Sequence, residues 1–260
     1  MNPASNMGWP QGFVVYDERD LKARQIIVDV FTDRLKSALT GLNRAVRFFQ
    51  IETPMLTFKE ALKGHEATGF ELVKSSFAKH GQDEMYLRPE TTFGTYAAFR
   101  AMWPMEPERK KQMPICLWQY GKSFRDEQAR PMGELRFREF YQLEYQLFFS
   151  PDTKADYFGT CVNAAADAIC GVTHTLPKAV PVPEDELAHY SAKTFDLYWW
   201  AYDTNEKTGE QFEIRHEVAA ISERKDFEGA KVMEVSVGLD RLTALQQLLS
   251  GPKELLKVIR

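Results

Sequence analysis

The sequence predicts an α+β fold: several antiparallel strands with helices between them, opened and closed by a helix. Two observations carry that reading. Segments 115–127 and 136–149 alternate polar and apolar residues with period two, over a length that only a paired β-hairpin sustains. The periodic segments also run helix, several strands with helices between them, then helix, instead of repeating strand–helix–strand units.

Each element has its own signal. Residues 17–47 place Leu21, Ile26, Val30, Leu35, Leu39 and Leu42 near helical spacing, which predicts one long amphipathic helix. RFFQIETPML (47–56) reads as a strand ended by Pro54. Residues 83–99 combine a short strand, EMYLRP, with a helix starting near Thr91. In the hairpin, Gln119, Gly121, Ser123, Arg125 and Glu127 share one face, opposite Trp118, Tyr120 and Phe124. On its second strand Arg136, Arg138, Phe140, Gln142, Glu144 and Gln146 share a face, opposite Phe137, Tyr141, Leu143, Tyr145 and Leu147. Residues 152–172 predict a helix, followed by a Pro-rich loop from Pro177 to Pro183. Two further strands, AKTFDLYWWAYD and QFEIRHEVAAI, flank a turn with Asn205 and Gly209. In KVMEVSVGLDRLTALQQLLSG, Glu234 and Ser236 share a strand face, Gly238 breaks the strand, and a closing helix carries Leu242, Leu245 and Leu249.

Composition removes several function classes. Of the 260 residues, 33 are Lys or Arg and 37 Asp or Glu, a formal net charge of −4, so a polybasic protein is excluded while a local basic groove is not. No apolar run approaches the ~20 residues of a membrane span, and the N-terminus lacks a basic segment followed by an apolar one. A cytoplasmic protein without a membrane partner is expected. Cys116, Cys161 and Cys170 are odd in number and lack CxxC spacing, which argues against a disulfide framework or a zinc site.

The polar hairpin face is the unusual feature. Arg125, Glu127, Arg136, Arg138 and Glu144 lie beside one aromatic residue, Phe140, on strands whose other faces are apolar. Charges on a packed sheet are costly unless paired or bound to a ligand. Guanidinium forks suit phosphate oxygens, and an aromatic ring can stack on a base. The face therefore reads as a nucleotide site, although neither a GxxxxGK[ST] nor a GxGxxG loop occurs.

These residues also carry a resemblance. FRDE…RPMGELRFREF, within 115–149, resembles motif 2 of class II aminoacyl-tRNA synthetases. EVSVGLDRLTAL, within 232–250, resembles motif 3, and RFFQIETPML with Pro54, closing segment 25–56, resembles the dimer-forming motif 1. LRPETTFG (87–94), HYSAKTFDLYW and EVAAISERKDFEG are similar to segments of glycyl-tRNA synthetases, departing at Phe93, Ala220-Ile221-Ser222, Lys225 and Val235. The resemblance spans residues 20–250 and implies a single catalytic domain, the class II synthetase architecture of a mostly antiparallel, six- or seven-stranded sheet flanked by helices, and a homodimer. An anticodon-binding domain after Arg241, usual in these relatives, is not expected.

The implied activity is a ligase that joins an amino acid, glycine as first choice, to ATP as an aminoacyl-adenylate and then transfers it to a tRNA acceptor end. Arg125 would hold the α-phosphate, Glu127 would orient adenine, Phe140 would stack on it, and Arg138 and Arg241 would meet phosphates. Glu90, Arg224, Glu234 and Ser236 would form the amino-acid pocket, with Arg224 near the substrate carboxylate. Glu217 and Glu234 would serve Mg²⁺, together with substrate phosphates, or the ammonium group of the amino acid. Two other readings share these residues: an amino-acid ligase with a non-tRNA acceptor (a carrier protein, nucleic acid or small molecule), and a non-catalytic paralogue acting as an accessory subunit.

Overall fold

The computed structural model describes residues 2–3, 8, 12–62, 72–80, 83–103, 111–126, 135–204 and 210–250. Two short strands, β1 (Asn2–Pro3) and β2 (Val14–Val15), precede the first helix, α1 (Glu18–Leu42). Asp17 caps α1 in a reciprocal capping box with Asp20. Its buried ridge is Ile27, Phe31, Leu35 and Leu39, with Val28 beside it. Leu21, Ile26 and Leu42, expected in that stripe, are exposed: a four-residue step selects one ridge and leaves them off it.

The expected strand over 47–56 is two strands in two sheets. β3 (Arg47–Gln50) lies parallel to β7 (Ile115–Phe124), while β4 (Leu56–Phe58) joins a three-stranded sheet, β4–β6–β5, with β5 (Lys74–His80) and β6 (Asp83–Leu87). Pro54 lies in the link between them, where no ladder requires its missing N–H. α2 (Thr92–Met102) follows β6.

The main sheet has seven strands in the order β3–β7–β8–β12–β11–β10–β9, antiparallel except for β3 with β7. Its other members are β8 (Glu139–Phe149), β9 (Lys178–Pro181), β10 (Ser191–Thr204), β11 (Gln211–Arg224) and β12 (Lys231–Gly238). β9 corrects the expected Pro-rich loop. Pro181 sits on an edge strand, where a proline is tolerated. The turn carrying Asn205 and Gly209 lies outside the described residues.

Helices α1, α3 (Tyr157–Thr173) and α4 (Leu239–Ser250) cover the back of the sheet over Cys116, Leu143, Tyr145, Leu147, Val235, Val237 and Ile221. On the front, α2 covers only one end, where Tyr96 and Phe99 pack on Ile115, Leu117, Phe148 and Val232. The rest of the front face is left to polar residues, and the site lies there. Among the described residues no helix is long and apolar enough to cross a membrane.

Candidate active site

The register brings the polar alternation of three strands into one field. Gln119 pairs with Glu144, which pairs with Ser236; Gln146 pairs with Glu234. Segment 88–94 closes over this field. Arg88 donates from Nε to the Lys122 carbonyl (2.9 Å) and from Nη1 to the Thr53 carbonyl (2.9 Å). Its Nη2 lies 2.3 Å from where a Cβ on Gly121 would sit, so this close approach requires glycine. A Cβ on Gly94 would likewise meet Thr53 Oγ1 at 2.2 Å. The same segment supplies Pro89, Glu90, Thr91 and Thr92 to the site.

Glu90, Glu144, Glu234 and Arg224 are all buried there. Arg224 donates through Nη1 to Glu234 (3.0 Å) and Glu90 (3.4 Å), and through Nη2 to Asp226 (2.7 Å). Its guanidinium lies 3.9 Å from the Tyr190 ring centroid. Among the described residues the donors to Glu144 are neutral: the Thr91 backbone N–H (3.1 Å), the Thr91 hydroxyl, Thr92 Oγ1 (3.3 Å), Gln146 Nε2 (3.3 Å) and, at the limit of contact, Ser236 Oγ (3.5 Å). Burial, and then the charges of Glu234 and Glu90, raise its pKa from 4.5 to about 7. Thr92 also donates to Glu234 (2.8 Å).

Next to this pocket lies a cavity of about 260 Å³. Arg125, Arg136, Phe140, Gln142, Glu217 and Arg241 are among its lining residues, as are Ser236 and Asp240. Arg125 Nε donates to the Pro89 carbonyl (3.1 Å), and its guanidinium lies 5.2 Å from the Phe140 ring centroid. Pro89 thus joins the cavity to the carboxylate pocket, because the next residue is Glu90. Arg241 sits in the first turn of α4 and donates to the Leu135 carbonyl (3.2 Å) and the Glu217 carbonyl (2.7 Å). A cation at a helix N-terminus opposes the helix dipole; together, the two favour an anion.

Glu217 reaches this wall through a bulge. Leu197 pairs with Ala219 and Tyr198 with Glu217, so Val218 is the extra residue and Glu217 turns to the front face. It faces Asp196, whose pKa burial and then the Glu217 charge raise to about 6.

The structure therefore assembles Arg125, Phe140, Glu217 and Arg241 around one cavity, Glu90, Arg224 and Glu234 in one pocket, and Ser236 between the two. Glu127, expected to orient adenine, lies outside the described residues. Arg138 is not in the cavity wall; it pairs with Asp126 (2.8 Å), and Arg136 lines the cavity instead. Alternation alone could not choose between them, since both fall on the same strand face. Arg224 does not present itself to a substrate carboxylate. Its side chain is fully buried and occupied by three carboxylates.

Glu217 and Glu234 stand too far apart to hold one ion directly between them. Glu234 pairs with Ser222, five residues along β11 from Glu217, which separates the two by on the order of 15 Å. Mg²⁺–oxygen bonds are about 2 Å. The residue that sequence reasoning left without a role is Glu144, although its place on the polar hairpin face was readable.

The family model described as tRNA synthetase class II core domain (G, H, P, S and T) matches residues 72–232. Glycine–tRNA ligase of Mycoplasmopsis synoviae is 32% identical over 173 residues, covering 61% of this chain and 38% of the relative. That of Macrococcus caseolyticus is 28% identical over 196 residues, covering 68% and 42%. The chain therefore spans well under half the length of these curated relatives. Among solved structures, prolyl-tRNA synthetase from Cryptosporidium parvum complexed with L-proline and AMP superposes with a TM-score of 0.68 at 15% identity, covering 94% of this chain and 48% of that one. That likeness shows the same sheet flanked by helices. With more than half of its residues matched, the chain belongs to the class II tRNA synthetase core family.

Proposed function

We propose that this chain activates an amino acid, glycine first, with ATP and transfers the aminoacyl group to a tRNA acceptor end. The observation that carries the proposal is the pair of adjoining compartments on one sheet face, an arginine-lined cavity and a buried carboxylate pocket, joined through Arg125 and Pro89. The first compartment suits a nucleoside triphosphate: Phe140 offers a ring to the base, and Arg125, Arg136 and Arg241 offer charge to phosphates. The second suits an ammonium group, which Glu90, Glu144 and Glu234 would receive. The names of the glycine–tRNA ligase relatives support glycine and tRNA as the substrates.

The chemistry needs positioning more than acid–base groups. An oxygen of the amino-acid carboxylate bonds to the α-phosphorus, the bond from that phosphorus to the β-bridging oxygen breaks, and pyrophosphate leaves. Arg125 stands where the two compartments meet and would neutralise charge on the α-phosphate. Arg224 acts indirectly, by holding Glu90 and Glu234 in place. Mg²⁺ would arrive with the nucleotide and neutralise phosphate charge. Among the described residues no group of three or more His, Cys, Asp or Glu side chains forms a dedicated metal cage, and Glu217 on the cavity wall would add a carboxylate to the phosphate oxygens that hold the ion. A homodimer would use the exposed side of α1, where Leu21, Ile26 and Leu42 lie.

ATP–pyrophosphate exchange across a panel of amino acids, followed by charging of a tRNA transcript with the one that responds, tests the proposal. Glycine-dependent exchange and glycyl-tRNA are expected. Exchange with no amino acid would refute activation, and exchange without charging would refute the tRNA acceptor.

A further inference from the structure

Residues 12–24 reach the nucleotide cavity from behind. The Gly12 carbonyl accepts from the Arg138 backbone N–H (2.8 Å). Tyr16 donates its hydroxyl to Asp240 Oδ2 (2.7 Å), and the Tyr141 backbone N–H donates to the same oxygen (2.9 Å). Arg24, on α1, lies over both rings, its guanidinium carbon 3.7 Å from the Tyr141 centroid and 5.1 Å from that of Tyr16. The two rings meet edge-on at 5.7 Å. Asp240 is 2% exposed, and its Oδ1 is buried with no hydrogen-bond partner among the described residues. Burial raises its pKa to about 6, against the pull of the Tyr16 and Tyr141 hydrogen bonds and the Arg24 charge.

Packing alone does not explain this cluster. A buried carboxylate with one orphan oxygen and a half-buried cation near it are less favourable than apolar side chains of the same volume. What the cluster does secure is adjacent in sequence. Tyr141 follows Phe140 and Asp240 precedes Arg241, and all four residues line the cavity. One carboxylate oxygen thus ties β8 to the first turn of α4. Tyr16, Arg24 and Asp240 all fall outside the residues matched by the family model.

We infer that Asp240, held by Tyr16 and flanked by Arg24, is a positioning residue that sets the spacing between Phe140 and Arg241, so that residues 12–24 form part of the nucleotide site. The inference rests on the reading that the cavity takes ATP. Adenine and the terminal phosphates lie at opposite ends of the nucleotide. A change in the distance between the base-stacking ring and the phosphate arginine would weaken both contacts while leaving the amino-acid pocket unaltered.

The test compares wild type with Tyr16→Phe, which removes one hydroxyl and keeps the ring under Arg24. AMPPNP affinity is measured by calorimetry, and the KM of the amino acid that supports exchange is measured at saturating ATP. A hydrogen bond to a charged acceptor that is lost from positioning should weaken AMPPNP about three- to tenfold, with the amino-acid KM unchanged. Asp240→Asn, which keeps the shape, should fall between wild type and Asp240→Ala, and it carries the test should Tyr16→Phe not fold. Equal AMPPNP affinity in wild type and Tyr16→Phe would overturn the inference, as would equal losses for both ligands, the mark of a general structural role. A wild type that does not bind AMPPNP would instead overturn the ATP reading of the cavity.

Discussion

Glu144→Gln is expected to stabilise the ligand-free protein at pH 8 and to have little effect at pH 5. In the native state the Glu144 carboxyl is raised from 4.5 to about 7, first by burial and then by Glu234 and Glu90. Between those two pH values the native state binds more protons than the unfolded state, so stability falls as pH rises through the window and levels off above it. A carboxyl displaced this far corresponds to about 3 kcal/mol between its neutral and charged forms. Glutamine copies the neutral form. Its carbonyl can take the place of Oε2 and accept from Thr91, Thr92 and Gln146, while its amide faces Ser236, whose hydroxyl can accept. Urea denaturation at pH 5 and pH 8 provides the assay. The variant should match wild type within about 1 kcal/mol at pH 5 and exceed it by about 2–3 kcal/mol at pH 8. Parallel pH dependence in the two proteins would refute the reasoning.

Three other outcomes are expected. Gly121→Ala should cost about 1–3 kcal/mol in denaturation midpoint, because the added Cβ would lie 2.3 Å from Arg88 Nη2, and Arg88 is pinned through Nε and Nη1. Arg125→Ala and Arg241→Ala should each lower exchange by about a hundredfold or more while the far-ultraviolet dichroism remains that of a folded protein; near-normal exchange in either would remove that residue from the site. Phe140→Leu should raise the KM for ATP about tenfold through lost stacking, and an unchanged KM would remove Phe140 from the base site.

The front face was legible in the sequence because period two is a local property. Gln119, Glu144, Glu234 and Ser236 each sit on strands whose alternation places them together, and the ladder pairs them. Three features were not legible, each for a non-local reason. The split of 47–56 between two sheets depends on which strands are available to pair, and nothing in RFFQIETPML encodes β7 as a partner for one half and β6 for the other. The turning of Glu217 to the front depends on Val218 being left out of the ladder, a one-residue shift that flips every side chain before it. The roles of Arg136 and Arg138 depend on Asp126, which takes one of two arginines that alternation treats alike. The burial of Arg224 follows from Glu90 and Tyr190 arriving from distant segments, with Asp226 two residues along its own, so the local pattern could not show which carboxylates it holds.

The charge balance of the carboxylate pocket links stability to function. Glu90 and Glu234 share the Arg224 guanidinium, while the donors to Glu144 among the described residues are hydroxyls, an amide and a backbone N–H. A third buried carboxylate served by neutral donors must either hold a proton or meet a cation. At neutral pH the two alternatives are close in energy, because its pKa lies near 7. A ligand carrying an ammonium group would favour the charged form, so its binding should release up to one proton near pH 7 and tighten as pH rises from 6 to 8. The same carboxylate that lowers the stability of the ligand-free protein would then select an amino acid over a neutral analogue of the same size. Calorimetry of glycine binding in two buffers of different ionisation enthalpy reads the proton directly. Buffer-independent heats at pH 7 would place the ammonium elsewhere.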